Sequence, residues 1–137
     1  MPEVRGVLET SLYVANVAEA ATFYRELFEF TTLFESERAA GLSVCDRQVL
    51  LLFRKSGTLQ PIVSERGTIP PHDGQGELHF AFSIDECDRD AWEKKLESAG
   101  VEIEARYHWP RGGRSIYFRD KDRHLVELVT PGCWEIY

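Results

Sequence analysis

The chain has 137 residues, 43% hydrophobic and 12% aromatic, a composition that supports a folded core rather than a disordered segment. A net charge of -7 excludes nucleic acid and acidic membrane surfaces as expected partners, because both would repel it. Three scattered cysteines, no apolar run of membrane-spanning length and an N-terminus without signal-peptide character predict a reduced, soluble, cytoplasmic protein.

Val7 to Val14 reads as a strand. Alternation puts Leu8, Thr10, Leu12 and Val14 on one face and Glu9, Ser11 and Tyr13 on the other. Asn16, with Glu19 three residues on, predicts a capped helix that buries Val17, Ala20, Ala21, Tyr24, Leu27 and Phe28. Thr31 to Glu35 is a strand by composition. Gly41 to Cys45 and Gln48 to Phe53 form a hairpin about an Asp46-Arg47 turn. The run Val49 to Phe53 is apolar on both faces, which predicts cover on both sides. Arg54 to Glu77 holds Pro61, Pro70 and Pro71 and reads as loop: a plain linker, or a pocket rim in the stretch Pro70-Pro71-His72-Asp73-Gly74.

The pattern then repeats. Leu78 to Asp85 is a strand, and Asp85 or Asp88 caps a helix with Ala91, Trp92, Leu96 and Ala99 inward and Gly100 at its end. Val101 to Tyr107, Arg114 to Arg119 and His124 to Val129 are strands. His108 to Gly113 is a loop and Asp120 to Arg123 a turn. The fold class is therefore α+β: two tandem βαβββ modules forming one pseudo-two-fold domain over 1–137, with a concave mixed sheet enclosing a cavity. Module one spans about 5–56, the connecting loop about 57–77 and module two about 78–132.

Laid over each other without a gap, Leu8–Ala15 and Leu78–Asp85 set Glu9 against His79. The run Val49–Phe53 laid over Leu125–Val129 sets Leu51 against Glu127. Three of these four repeat-equivalent positions can ligate a metal. Taken singly, Glu9 is more ordinarily a hydrogen-bonded strand carboxylate and His79 a satisfied histidine. Glu127 lies mid-strand among apolar neighbours and needs water, a cation or a donor. Arg114, after Gly112 and Gly113, suits bidentate capture of an anion, against the alternative of a solvated turn; the glycines permit close backbone approach. Ser115 and Tyr117 share one strand face as cavity lining, and His72, His108 and Trp109 are rim candidates. His124 reads as structural, and Cys45 and Cys87 as core fillers rather than nucleophiles.

The double βαβββ order, with Asn16-Val17 through Phe23-Tyr24-Arg25-Glu26-Leu27-Phe28, Leu78-His79-Phe80-Ala81-Phe82 and Tyr117-Phe118-Arg119-Asp120-Lys121-Asp122 through Val126-Glu127-Leu128, resembles the vicinal oxygen chelate superfamily. That superfamily includes glyoxalases, fosfomycin-type resistance enzymes, ring-cleaving dioxygenases and bleomycin resistance proteins. The resemblance implies Glu9, His79 and Glu127 as ligands of one divalent ion, with Glu9 where the family usually has histidine and Leu51 in a fourth place that cannot serve. Two carboxylates and one imidazole favour Mn²⁺ or Fe²⁺, with Zn²⁺ also compatible. Arg123 stands where the family's Asp-Pro-Asp-Gly turn has glycine, which predicts a differently built turn.

The expected function is that of a metal-dependent enzyme of the glyoxalase/dioxygenase type, acting on a small oxygen-chelating substrate. Glu9 or Glu127 would be the catalytic proton shuttle, and Arg114, Ser115, Tyr117, Trp109 and His72 would contact substrate. The alternative is a metal-free, bleomycin-resistance-like binding protein, favoured by Leu51 and an acidic surface suited to a cationic ligand. A third is a catalytically silent member acting in a dimer interface. The resemblance also implies a homodimer.

Overall fold

Asn16 caps the first helix as its spacing predicts: its Oδ1 accepts the Glu19 amide at 3.0 Å, and α1 runs Val17–Phe28. The computed structural model describes residues 1–137 as two units, Met1–Gln75 and Gly76–Tyr137. In the first, β1 (Glu9–Val14), β2 (Thr31–Glu35), β3 (Ala39–Val44) and β4 (Gln48–Arg54) form a sheet in the order β1-β4-β3-β2, with only the β1–β4 pair parallel. Leu12, Val14, Ala40, Leu42, Leu50 and Leu52 are buried, as are Val17, Ala20, Ala21, Tyr24 and Leu27 of the helix. Val49, Leu51 and Phe53 are only half-buried, so the apolar run of β4 is fully covered on one face, not two.

The β3–β4 turn lies one residue earlier than the sequence suggests. Cys45 and Asp46 both take φ of 54°, the left-handed pair of a tight hairpin, and Ser43 Oγ donates to Asp46 Oδ1 at 3.1 Å. Cys45 is thus an exposed turn residue, and Cys87 is exposed as well, so neither fills the core. Because asparagine tolerates the left-handed region better than cysteine, Cys45→Asn is expected to stabilise the protein by about 0.5–1 kcal/mol in urea denaturation.

The connection is not wholly loop. Ile62–Ser64 (β5) and Gly67–Ile69 (β6) form a short exposed hairpin bracketed by Pro61 and Pro70. Three-residue strands fit between the prolines and carry too little pattern to read by composition.

The second unit repeats the first. His79–Ser83 (β7), Ala105–His108 (β8), Arg114–Arg119 (β9) and Leu125–Val129 (β10) form a sheet in the order β7-β10-β9-β8, again with the first and last strands parallel. After a 3₁₀ turn at Glu86–Asp88, helix α2 spans Arg89–Ser98 and Gly100 ends it at φ 71°. Leu96 of α2 is buried and Trp92 half-buried, but Ala91 and Ala99 are exposed. The predicted strand over 101–107 begins only at Ala105; before it, the Glu104 amide reaches the Tyr117 carbonyl at 2.8 Å as the chain swings from helix to sheet edge.

In the β9–β10 turn the Asp120 carboxylate accepts the amides of Asp122 and His124, each at 2.9 Å. Arg123 adopts φ 69°, so arginine takes the left-handed conformation that glycine favours. His124 is fully buried and accepts the Leu78 amide at 2.9 Å, a structural role.

Candidate functional site

The two sheets share one register. Glu9 lies opposite Val49 in the first, and His79 opposite Leu125 in the second. Two residues further along β4 and β10 stand Leu51 and Glu127, so these four positions are equivalent in three dimensions as well as in sequence. Glu9 opens β1 and is exposed, on the face shared with Ser11 and Tyr13.

In the second unit, alternation along β10 sends Val126 and Leu128 into the core and Glu127 to the opposite face. Its strand neighbours there are Ala81 and Tyr117, and the small alanine leaves room for a long side chain. Glu127 Oε1 lies 3.3 Å from His79 Nε2. His79 Nδ1 is 2.9 Å from the Leu125 carbonyl, which can only accept, so Nδ1 carries the hydrogen. With Nδ1 protonated, Nε2 is the ring atom that faces the carboxylate oxygen, as a lone pair in the neutral ring or as an N–H donor in the imidazolium. Two acceptors at that distance repel unless a proton or a cation lies between them.

Glu127 Oε2 accepts a short hydrogen bond from Ser115 Oγ, and Ser115 Oγ accepts the Trp109 indole N–H at 2.8 Å. The Glu127 side chain is 7% exposed and that of His79 49%, so the pair is closed behind the carboxylate and open beside the imidazole. Burial, reinforced by the Glu127 charge, holds the Tyr117 phenol and the Cys133 thiol above their usual ranges. In a Cys45→Ser/Cys87→Ser background, the inflection of Cys133 alkylation against pH is expected above the ordinary thiol value. Glu127→Gln removes the charge but not the burial, so it should lower that inflection part of the way; an unmoved profile would contradict the coupling.

The other candidates divide. Ser115 joins Glu127 directly, Trp109 joins it through Ser115, and Tyr117 pairs with it across the ladder. Arg114 alternates to the other face and lines a recess of about 250 Å³ with Arg89, Glu93, Arg106, Tyr107 and His108. There Arg106 chelates Glu93, and that hydrogen bond pulls the Glu93 carboxyl below its usual range. In the first unit His72 is locked onto the sheet: its Nδ1 meets Tyr13 Oη, its amide donates to the Thr58 carbonyl at 3.0 Å, and its ring stands edge-on to Phe53 at 4.7 Å. Gly74 lies flat on the Tyr13 ring, where a side chain would collide. The stretch that composition leaves as rim or linker thus packs on the strand face that carries Glu9. Ser115 as a donor to Glu127, and Cys133 beside it, were not legible from spacing, since both depend on which strands pair.

The sequence profile of the Glyoxalase/Bleomycin resistance protein/Dioxygenase superfamily matches residues 6–128. The chain belongs to this superfamily. With transferases and a lyase among its relatives, it is an enzyme of the vicinal oxygen chelate type. It is similar to metallothiol transferase FosB of Shouchella clausii (strain KSM-K16), 31% identical over 129 residues, covering 93% of this chain and 81% of the relative. It is similar to glutathione transferase FosA of Serratia marcescens, 30% identical over 121 residues, covering 86% and 75%. The crystal structure of lactoylglutathione lyase from Agrobacterium tumefaciens superposes with a TM-score of 0.88 at 28% identity, covering 98% of this chain and 99% of that one.

The superfamily's use of metals can be set against the donor atoms present. Two ligands on one ion, each about 2.1 Å from it, lie about 3.0–3.4 Å apart in octahedral or tetrahedral geometry. The His79–Glu127 separation of 3.3 Å falls in that range. Nδ1 tied to a carbonyl and the far carboxylate oxygen held by a hydroxyl are the supports that metal-ligating histidine and glutamate need. Within neither unit do three such side chains converge. No helix is long and apolar enough to cross a membrane.

Proposed function

We propose that this chain is a divalent-metal-dependent enzyme that acts on a small, thiol-linked substrate, with His79 and Glu127 as two metal ligands and Glu9 as the third. The observation that carries the reading is His79 Nε2 facing Glu127 Oε1 at 3.3 Å with both groups braced from behind, a spacing that two ligands of one cation would have. The register equivalence of Glu9 with His79 supports the third ligand. The substrate class is supported by the relatives, a metallothiol transferase, a glutathione transferase and a lactoylglutathione lyase, each of which names a thiol. Mn²⁺ or Fe²⁺ suits two carboxylates and one imidazole, and Zn²⁺ is also compatible.

A bound ion would supply Lewis-acid stabilisation of oxyanion character on the substrate. The chain's own residues do the rest. Ser115 fixes the carboxylate, Tyr117 keeps a protonated phenol beside it, and the exposed side of His79 leaves an approach for substrate. In this reading the proton shuttle falls to Glu9, which is exposed, whereas Glu127 is buried and already held by Ser115. A homodimer is part of the same reading, and light scattering on the purified chain tests it.

Metal analysis and Mn²⁺ titration come first, then turnover with glutathione plus fosfomycin against glutathione plus methylglyoxal. Stoichiometric metal and product carrying the thiol are the expected results. The second reading, a metal-free binder, rests on Leu51 at the counterpart of Glu127. Sub-stoichiometric metal, unchanged by Glu9→Ala and His79→Ala, would establish it in place of the first.

A further inference from the structure

We infer that Trp109 is a positioning residue that, through Ser115, fixes how the Glu127 carboxylate is turned toward His79. This rests on the proposed ligand pair. Ser115 Oγ has one hydrogen and two lone pairs, whereas the Trp109 indole can only donate. With the indole N–H 2.8 Å from Ser115 Oγ, the serine must accept from it, so its own hydrogen points elsewhere, and it goes to the charged acceptor Glu127 Oε2 in preference to the neutral Tyr117 hydroxyl beside it.

Ser115 is 1% exposed and Glu127 5%, so bulk water is not at hand to reorient the hydroxyl. Trp109 thereby keeps the serine hydrogen on one carboxylate oxygen and holds the carboxylate plane so that the other meets His79 Nε2. Chained hydrogen bonds of this kind polarise one another, so the carboxylate's charge is felt at the indole. The tryptophan is held in turn by its own loop: its amide donates to the Gly113 carbonyl at 2.8 Å, and the Gly112 amide donates to its carbonyl at 2.9 Å. Half-buried at the loop, Trp109 resembles an ordinary rim aromatic, but its indole nitrogen points inward to the site's buried edge.

Two measurements on the full chain test this. In metal-free protein, the Trp109 indole N–H resonance, assigned by its loss in Trp109→Phe, is expected to move upfield in Glu127→Gln, while the Trp92 and Trp134 indoles stay in place. In Mn²⁺ titrations, Trp109→Phe is expected to weaken binding about tenfold, and Trp92→Phe not at all. An indole indifferent to Glu127→Gln, or a Trp109→Phe protein that binds Mn²⁺ like the wild type, overturns the positioning role. If one variant fails to fold, the arm using the other decides. If the wild type binds no Mn²⁺, the ligand reading fails by itself and the metal-free resonance alone decides whether the relay exists.

Discussion

His79→Ala is expected to weaken Mn²⁺ binding by at least about a hundredfold, since loss of a supporting partner alone costs 10- to 100-fold and this change removes a donor atom. Its effect on folding should be small. The His79 side chain is 49% exposed, and the Leu125 carbonyl it leaves can be solvated, so the metal-free protein should lose no more than about 1 kcal/mol. The contrast between a large binding loss and a small melting shift marks a functional rather than structural histidine. Electron paramagnetic resonance titration with Mn²⁺, paired with urea denaturation of the metal-free protein, reads both. Retained affinity would remove His79 from the centre. A large stability loss with no metal effect would instead make the His79–Glu127 pair an ordinary ion pair with a protonated imidazole.

Gly113→Ala should destabilise the protein by about 3 kcal/mol, the range of an overpacked site that cannot relax. A Cβ there would lie 2.5 Å from the Gly132 carbonyl carbon and 2.6 Å from the Cys133 nitrogen, both of them backbone. Neither side can yield easily. Gly113 anchors the Trp109 amide, and the Gly132 segment is closed by its amide to the Tyr137 carbonyl at 2.8 Å, with Tyr137 Oη reaching the Ile84 and Val129 carbonyls at 3.2 Å each. Gly112→Ala is the control. Its φ of 98° makes alanine strained, but the space is open, so about 1 kcal/mol is expected. Equal losses in denaturant titrations of the two variants would refute the close approach. The glycine pair, which from sequence suits the approach of a ligand, instead admits the chain's own C-terminal segment at Gly113.

Much of this architecture is written locally. The duplicated strand–helix–three-strand order, the Asn16 cap and the buried face of α1 follow from period-two and period-3.6 patterns that short-range sterics impose. The match of Glu9 with His79 and of Leu51 with Glu127 was also legible, because the same strand order and the same parallel pairing preserve register between copies. Weak or short signals went astray. The β5–β6 hairpin is three residues a side, and α2 carries too few apolar residues to bury the face its spacing suggests.

What the tertiary structure alone decided is which polar atoms meet. Ser115, Tyr117 and Arg114 are neighbours in sequence, yet alternation sends the first two to the Glu127 face and the arginine to the opposite recess. His79 has its ring orientation and its Nδ1 hydrogen fixed only because β7 lies beside β10, which brings the Leu125 carbonyl to its Nδ1. A sequence specifies side chains and their local faces. The direction of a ring nitrogen or a hydroxyl hydrogen is set by partners that strand pairing brings from far along the chain, so the sequence offered candidate residues while the fold determined which of their atoms meet.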